Sequence, residues 1–262
     1  MQTIANGINM NFELSGKKDA PVVMLSHSLA SCLAMWDSQS EVLETHYQVL
    51  RYDTRGHGKT DAPSGKYTLD MLGEDAVCLL DALNIDVVHW VGLSMGGMIG
   101  QCLALNHADR IISLALCDTA AIMPDDNQPV WQEHIDMARG LGLQSLVQST
   151  MERWFTAPYL IKNPSTVKRI RRDFLNTPVA GYIGCSEAIR NLDYLERLSR
   201  INTPTLIVVG EEDPGTPVAA SEAMHEHLPD SRLVVLPSAA HLSNVEQSEA
   251  FNKALMGFLR EI

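Results

Sequence analysis

Short runs of consecutive apolar residues, each closed by turn residues, recur along the chain and are separated by stretches with apolar positions three and four apart. The runs are Val22 to Ser26, Tyr47 to Tyr52, Val87 to Leu93, Ile111 to Cys117, Thr205 to Val209 and Leu233 to Leu236. Rich in Val, Ile and Leu and lacking strict alternation, they predict strands buried on both faces, as in a parallel sheet. Thr3 to Ser15 predicts an antiparallel pair at the sheet edge, with Asn6-Gly7 supplying the two positive φ values of a tight hairpin turn. Helical spacing runs through Leu69 to Leu83, Met95 to His107 and Ser248 to Arg260, the last with Phe251, Leu255, Phe258 and Leu259 on one face. Strand and helix therefore alternate, which predicts an α/β fold with a mostly parallel eight-stranded sheet and helices on both faces. The alternation stops between Ala121 and Arg200, where no strand pattern is found and Trp131, Trp154, Phe155 and Tyr159 occur. Residues 121–200 are thus expected to form a helical cap, inserted after the sixth strand into a core domain made of residues 1–120 and 201–262.

Composition narrows the class without naming the chemistry. At 262 residues, 45% hydrophobic and 20% charged, the chain can bury a large core. No apolar stretch approaches the roughly 20 residues that span a bilayer, so no membrane association is expected. The start, Met1 to Gly7, lacks the positive charge and apolar core of a secretory signal, so the chain is expected to begin here and to be cytoplasmic. A net charge of −12 argues against a nucleic-acid partner, and the one basic cluster, Lys168 to Arg172, reads as the solvated face of a helix. Five cysteines form no Cys-x-x-Cys pair and are odd in number, which favours buried reduced thiols over disulfides or a metal site.

The chemistry begins at Gly92-Leu93-Ser94-Met95-Gly96, with Gly97 behind it, between an apolar strand and an amphipathic helix. A strand turning sharply into a helix holds its central residue in a strained conformation and needs small neighbours, so Ser94 is the candidate nucleophile. A serine hydroxyl needs a histidine to take its proton and a carboxylate to orient that histidine. Of nine histidines, His241 alone lies in a loop directly after a late core strand and before a helix start. Asp213, just past the strand Thr205 to Val209 and before Pro214-Gly215, is the preferred carboxylate, completing the chain order Ser, Asp, His of α/β hydrolases. Asp118, at the end of the strand before the insertion, is the competing acid. His46, His107, His134, His225 and His227 read as polar helix or loop residues, and His89 as packed on a strand.

Acyl transfer also needs backbone N–H groups aimed at the developing oxyanion. One is the amide of Met95, which begins the helix after the elbow. The second is expected from Leu29 in the loop His27-Ser28-Leu29 after the strand Val22 to Ser26. Ser28 stands where glycine is usual, and its hydroxyl is available to satisfy a nearby backbone group.

Beyond this frame the chain resembles the 3-oxoadipate enol-lactonases of the α/β-hydrolase superfamily. The resemblance is carried by Leu25 to Leu29, Met35-Trp36-Asp37, Arg51 to Gly58, Gly92 to Gly97, Leu116 to Ala121, Arg153-Trp154-Phe155-Thr156, Gly181-Tyr182 and Cys185 to Ile189, and it runs from about residue 20 to the C-terminus. The segment Asp53 to Gly58 recurs across the superfamily, whereas the segments in the insertion are more particular. A departure is His27-Ser28-Leu29-Ala30-Ser31, where the family usually reads Asn-Ser-Leu-Gly-Thr. The resemblance implies a serine hydrolase acting on a small ester or lactone, most specifically 3-oxoadipate enol-lactone, with no metal and no cofactor. It implies that His241 deprotonates Ser94 while the Met95 and Leu29 amides hold the oxyanion. For an anionic substrate, Arg153, Arg190, Trp154 and Trp36 are candidates, and Trp154 is the one singled out. A general carboxylesterase or perhydrolase, a carbon-carbon hydrolase of ring-cleavage products and a small-molecule receptor share the frame. Dehalogenases and epoxide hydrolases are disfavoured, since they place a carboxylate where Ser94 stands.

Overall fold

The computed structural model describes residues 1–262. Eight strands form one sheet: β1 (Gln2–Ala5), β2 (Ile8–Gly16), β3 (Val22–Ser26), β4 (Gln48–Tyr52), β5 (Val88–Leu93), β6 (Ile111–Cys117), β7 (Thr205–Gly210) and β8 (Ser231–Leu236). Their order is β1-β2-β4-β3-β5-β6-β7-β8, antiparallel from β1 to β4 and parallel beyond. The Asn6-Gly7 turn between β1 and β2 has both φ values positive, at 46° and 76°, as a tight hairpin requires. All six residues of β5 and of β7 are buried, which explains their unbroken apolar runs, while the edge strand β8 is partly exposed along most of its length.

The helices of the core are α1 (Asp37–Leu43), α2 (Leu69–Ala82) and α3 (Met95–Asn106). Between β6 and β7 come α4 (Gln128–Leu141), α5 (Val147–Trp154), α6 (Ala157–Lys162), α7 (Pro164–Leu175) and α8 (Val179–Arg190); α9 (Val218–His227), α10 (Ser243–Glu246) and α11 (Ser248–Leu259) complete the chain. The sheet order reverses after β4, so right-handed crossovers place α2, α3 and α9 on one face and α1 and α11 on the other. Helix α1 escapes sequence periodicity because it has only seven residues, among them Gln39, whose buried amide donates to the Asn244 carbonyl at 3.0 Å. No helix is long and apolar enough to cross a membrane.

The five helices of the insertion pack on one another, α4 on α8 and α5 on α7. A bridge between Ile122 and Asp193 closes their base, with the Tyr194 amide donating to Ala121 at 2.7 Å. Helix α8 meets the core at Gly181, where a Cβ would lie 1.9 Å from the Gly56 carbonyl oxygen, so the residue must be glycine. The Leu242 amide ties the other side by donating to the Trp154 carbonyl at 3.0 Å.

The parallel strands share one direction, so the segments after β3, β5, β6, β7 and β8 emerge at one sheet edge. This brings the loops holding Leu29, Ser94, Asp118, Asp213 and His241 together beneath the insertion.

Candidate active site

Ser94 joins β5 to α3 with φ 55° and ψ −116°, a conformation that costs energy for a residue with a Cβ. Its backbone is held on both sides, the amide donating to Cys117 at 2.8 Å and the carbonyl accepting from Thr119 Oγ1 at 2.7 Å. Small neighbours permit the bend, since a Cβ on Gly92 would sit 2.1 Å from the Gly96 carbonyl oxygen. The Ser94 hydroxyl makes no hydrogen bond within the protein, and Ser94 lines a cavity of about 240 Å³ shared with His241 and Leu29.

Asp213 and His241 are brought together as expected. His241 Nδ1 lies 2.8 Å from Asp213 Oδ2. The other oxygen, Oδ1, accepts from the amides of Gly215 at 2.8 Å and Thr216 at 3.1 Å, and the Thr216 hydroxyl donates to Oδ2 at 2.6 Å. Burial pushes the Asp213 carboxyl upward, but the His241 charge and these donors outweigh it and hold the group below the usual carboxylate range. An ionised Asp213 can only accept, so Nδ1 of His241 carries the ring proton and Nε2 is left as an acceptor. Thr216 was not singled out from the sequence, although a threonine three residues after an aspartate in a Pro-Gly turn is a familiar local bonding pattern.

Asp118 is fully buried but does not reach His241. Its oxygens accept from the Gly210 amide, at 2.8 Å, and from the Ser243 hydroxyl. Burial, reinforced by the charge of Asp213, pushes its carboxyl well above the ordinary range. It couples the ends of β6 and β7 to α10.

Met95 opens α3, so its amide has no helical carbonyl four residues back to accept from it, and its side chain is in the core. Leu29 lines the cavity, and its amide has no acceptor in the protein. The Ser28 hydroxyl, expected to satisfy a backbone group, makes no such bond; it is the Ser28 carbonyl that is engaged, by His27 Nδ1 at 2.7 Å.

The remaining wall comes mainly from the insertion. Trp154, as singled out from the sequence, lines the cavity, packed edge-on against Phe174 at 5.8 Å between ring centroids. Arg153 also lines it, donating only to Thr150 Oγ1 at 3.3 Å and forming no ion pair. His134 corrects the sequence reading, for it faces this cavity; burial and then the nearby Arg153 charge lower its pKa. Two candidates fall away. Arg190 turns from the cavity to Gln128 and Gln132, with Glu187 at 3.8 Å, and Trp36 is fully buried against Phe251 in the core. No group of three His, Cys, Asp or Glu side chains converges to hold a metal ion, and all five cysteines are free thiols.

A serine at a strained strand-to-helix turn on the carboxyl edge of such a sheet, sharing a cavity with an Asp-bonded histidine, points to a class of enzyme rather than to a substrate. A sequence profile of the alpha/beta hydrolase fold matches residues 21–248, and the chain belongs to that family. It is a carboxylic ester hydrolase by class, similar to the enol-lactonases as the sequence led us to expect. Its sequence is 36% identical over 256 residues to 3-oxoadipate enol-lactonase 2 of Acinetobacter baylyi, covering 98% of this chain and 95% of the relative. The crystal structure of the enol-lactonase from Burkholderia xenovorans superposes with a TM-score of 0.96 at 37% identity, covering 99% of this chain and all of that one. A thermophilic esterase from Thermogutta terrifontis, solved with malate bound, gives a TM-score of 0.92 at 28% identity, covering 99% of this chain and 96% of that one.

Proposed function

We propose that the protein hydrolyses a small anionic lactone of the 3-oxoadipate enol-lactone type through an acyl-enzyme on Ser94. The observation that carries the anionic part is Arg153, a guanidinium without an acidic partner on the wall of the cavity that Ser94 and His241 share. In a chain of net charge −12, a cation left unpaired beside the nucleophile suits a substrate carboxylate. The enol-lactonase relatives support the same substrate class, and the malate in the esterase relative is itself a small carboxylate.

In this reading His241 Nε2 takes the proton of Ser94 as Oγ attacks the lactone carbonyl, and Asp213 stabilises the imidazolium through Nδ1. The Met95 and Leu29 amides hold the tetrahedral oxyanion, each contributing about 3 kcal/mol. Collapse expels the enol oxygen, which receives the proton from His241. Water then attacks the acyl-enzyme with His241 again as base, and Ser94 is released. Ketonisation of the freed enol makes the hydrolysis effectively irreversible. Residues 121–200 act as the cap, with Trp154 and Arg153 shaping the acid-binding side of the cavity.

The test is a substrate panel on purified protein together with fluorophosphonate labelling. We expect turnover of enol-lactones above simple aryl esters, and in Ser94→Ala loss of labelling with a fall in turnover by orders of magnitude. Labelling retained at another serine removes the acyl-enzyme on Ser94. Two fragments released from the ring-cleavage product of a monocyclic precursor would identify carbon-carbon hydrolysis instead.

A further inference from the structure

Two histidines beside the oxyanion loop, His27 and His57, are completely buried, with ring centroids 5.2 Å apart, and take no part in the proton transfers above. The Thr54 amide donates to His27 Nε2 at 2.9 Å. An amide can only donate, so Nε2 bears no proton and the neutral ring carries its hydrogen on Nδ1. That Nδ1–H donates to the Ser28 carbonyl at 2.7 Å. His57 follows the same pattern: Nε2 accepts from the Ala30 amide at 2.9 Å, and Nδ1 faces the Arg55 carbonyl at 3.1 Å. Burial lowers the pKa of both rings, that of His57 to about 3, so both are neutral at ordinary pH.

The Ser28 carbonyl and the Leu29 N–H belong to one planar trans peptide and point in opposite directions. Holding the carbonyl on His27 therefore turns the Leu29 N–H the other way. The Ser31 amide shares the same carbonyl at a longer 3.2 Å. Leu29 lies on the wall of the Ser94 cavity and its amide is unpaired, which is rare for buried backbone N–H groups. The next residue, Ala30, has φ 55°, a left-handed conformation that its Cβ resists and that the bond to His57 holds.

We propose that His27 is a positioning residue for acyl transfer, its Nδ1–H fixing the Ser28–Leu29 peptide so that the Leu29 amide faces the oxyanion. His57 secures the adjoining strained turn. The inference rests on the Ser94 acyl-transfer reading, and the two fail separately in the experiment below.

The two nitrogens of His27 can be replaced one at a time. His27→Asn keeps an N–H near the Nδ1 position and offers nothing to Thr54. His27→Gln reaches the Nε2 position, accepts from Thr54 and leaves the Ser28 carbonyl without its donor. With p-nitrophenyl acetate, His27→Gln is expected to lose roughly 10- to 100-fold in kcat with KM near the parent value and the fold retained. His27→Asn is expected to keep kcat within about threefold while its Tm falls, since the Thr54 amide is left unsatisfied. Full kcat in His27→Gln, or an equal loss in both variants, overturns the proposal. Should either variant not fold, imidazole and amide NMR of the parent enzyme decides. An Nδ1–H tautomer for His27, with a Leu29 amide resonance that moves downfield on adding phenylboronic acid, supports it; an Nε2–H tautomer or an unmoved Leu29 amide overturns it. A parent enzyme that a fluorophosphonate does not label removes the acyl-transfer reading itself.

Discussion

At the scale of single residues, the contrast between Arg153 and Arg190 is a contrast of partners. Arg190 spends its donors on Gln128 and Gln132 and lies near Glu187, whereas Arg153 has one weak hydroxyl contact and a cavity in front of it. Arg153 is exposed, so its charge is partly screened by water, and the worth of a bond to a carboxylate there lies toward the low end of the usual range, on the order of 1.5 kcal/mol. Arg153→Ala should accordingly raise KM for an anionic enol-lactone by roughly tenfold and leave KM for a neutral aryl ester almost unchanged. Steady-state kinetics on the two substrates checks this; equal effects on both would exclude Arg153 from carboxylate recognition.

At the scale of elements, the elbow between β5 and α3 works because backbone passes backbone. A Cβ on Gly96 would stand 2.1 Å from the Ser26 carbonyl oxygen, at the end of the neighbouring strand β3, and neither chain can swing aside. Gly96→Ala is expected to cost about 3 kcal/mol or more, enough to deplete folded protein. Gly257→Ala, in α11 with open space at the Cβ position, should instead stabilise by roughly 0.5–1 kcal/mol, the ordinary helical gain. Denaturant melts of the two variants measure the difference, and a harmless Gly96→Ala would refute the close-approach account. The motif around Ser94 marks Gly96 in the sequence, but what its Cβ would strike is set by the neighbouring strand.

At the scale of the whole molecule, buried titratable groups set how stability follows pH. His57, at about 3 in the fold against 6.5 unfolded, leaves the unfolded chain binding more protons between those values, so its contribution is complete above the upper value and is lost as pH falls. Asp118 has the opposite sign. Burial raises its carboxyl in the fold, so it weighs least against folding below its unfolded value of 3.8 and costs stability as pH rises. Asp118→Asn keeps an oxygen for the Gly210 amide and removes the buried charge. Its Tm should exceed that of the parent by several degrees at pH 8, with the gap closing toward pH 4, as scanning calorimetry across pH would record. A constant gap would mean that the charge of Asp118 is not the cause.

Much of this architecture was legible along the chain because its determinants are local. Period and apolar runs locate the eight strands and the helices α2, α3 and α11, though not the separate helices of the insertion, and Gly92, Gly96 and Gly97 bracket a serine that their small size allows to bend. Asp213 and His241 could be chosen because parallel strands deliver their following loops to one edge, so chain order alone carries spatial meaning. Partnership could not be read in this way. That Asp118 is taken by Gly210 and Ser243, that Arg190 is paired and Arg153 free, and that His134 faces the cavity all depend on residues far apart in sequence. The roles of His27 and His57 are the sharpest case, since the bonds that set their tautomers run to Thr54 and Ala30, each 27 residues away. Sequence determines what each segment can form, through periodicity and side-chain size; tertiary structure decides which donor meets which acceptor, because hydrogen bonds and charges act over a few ångströms that only the folded chain brings together.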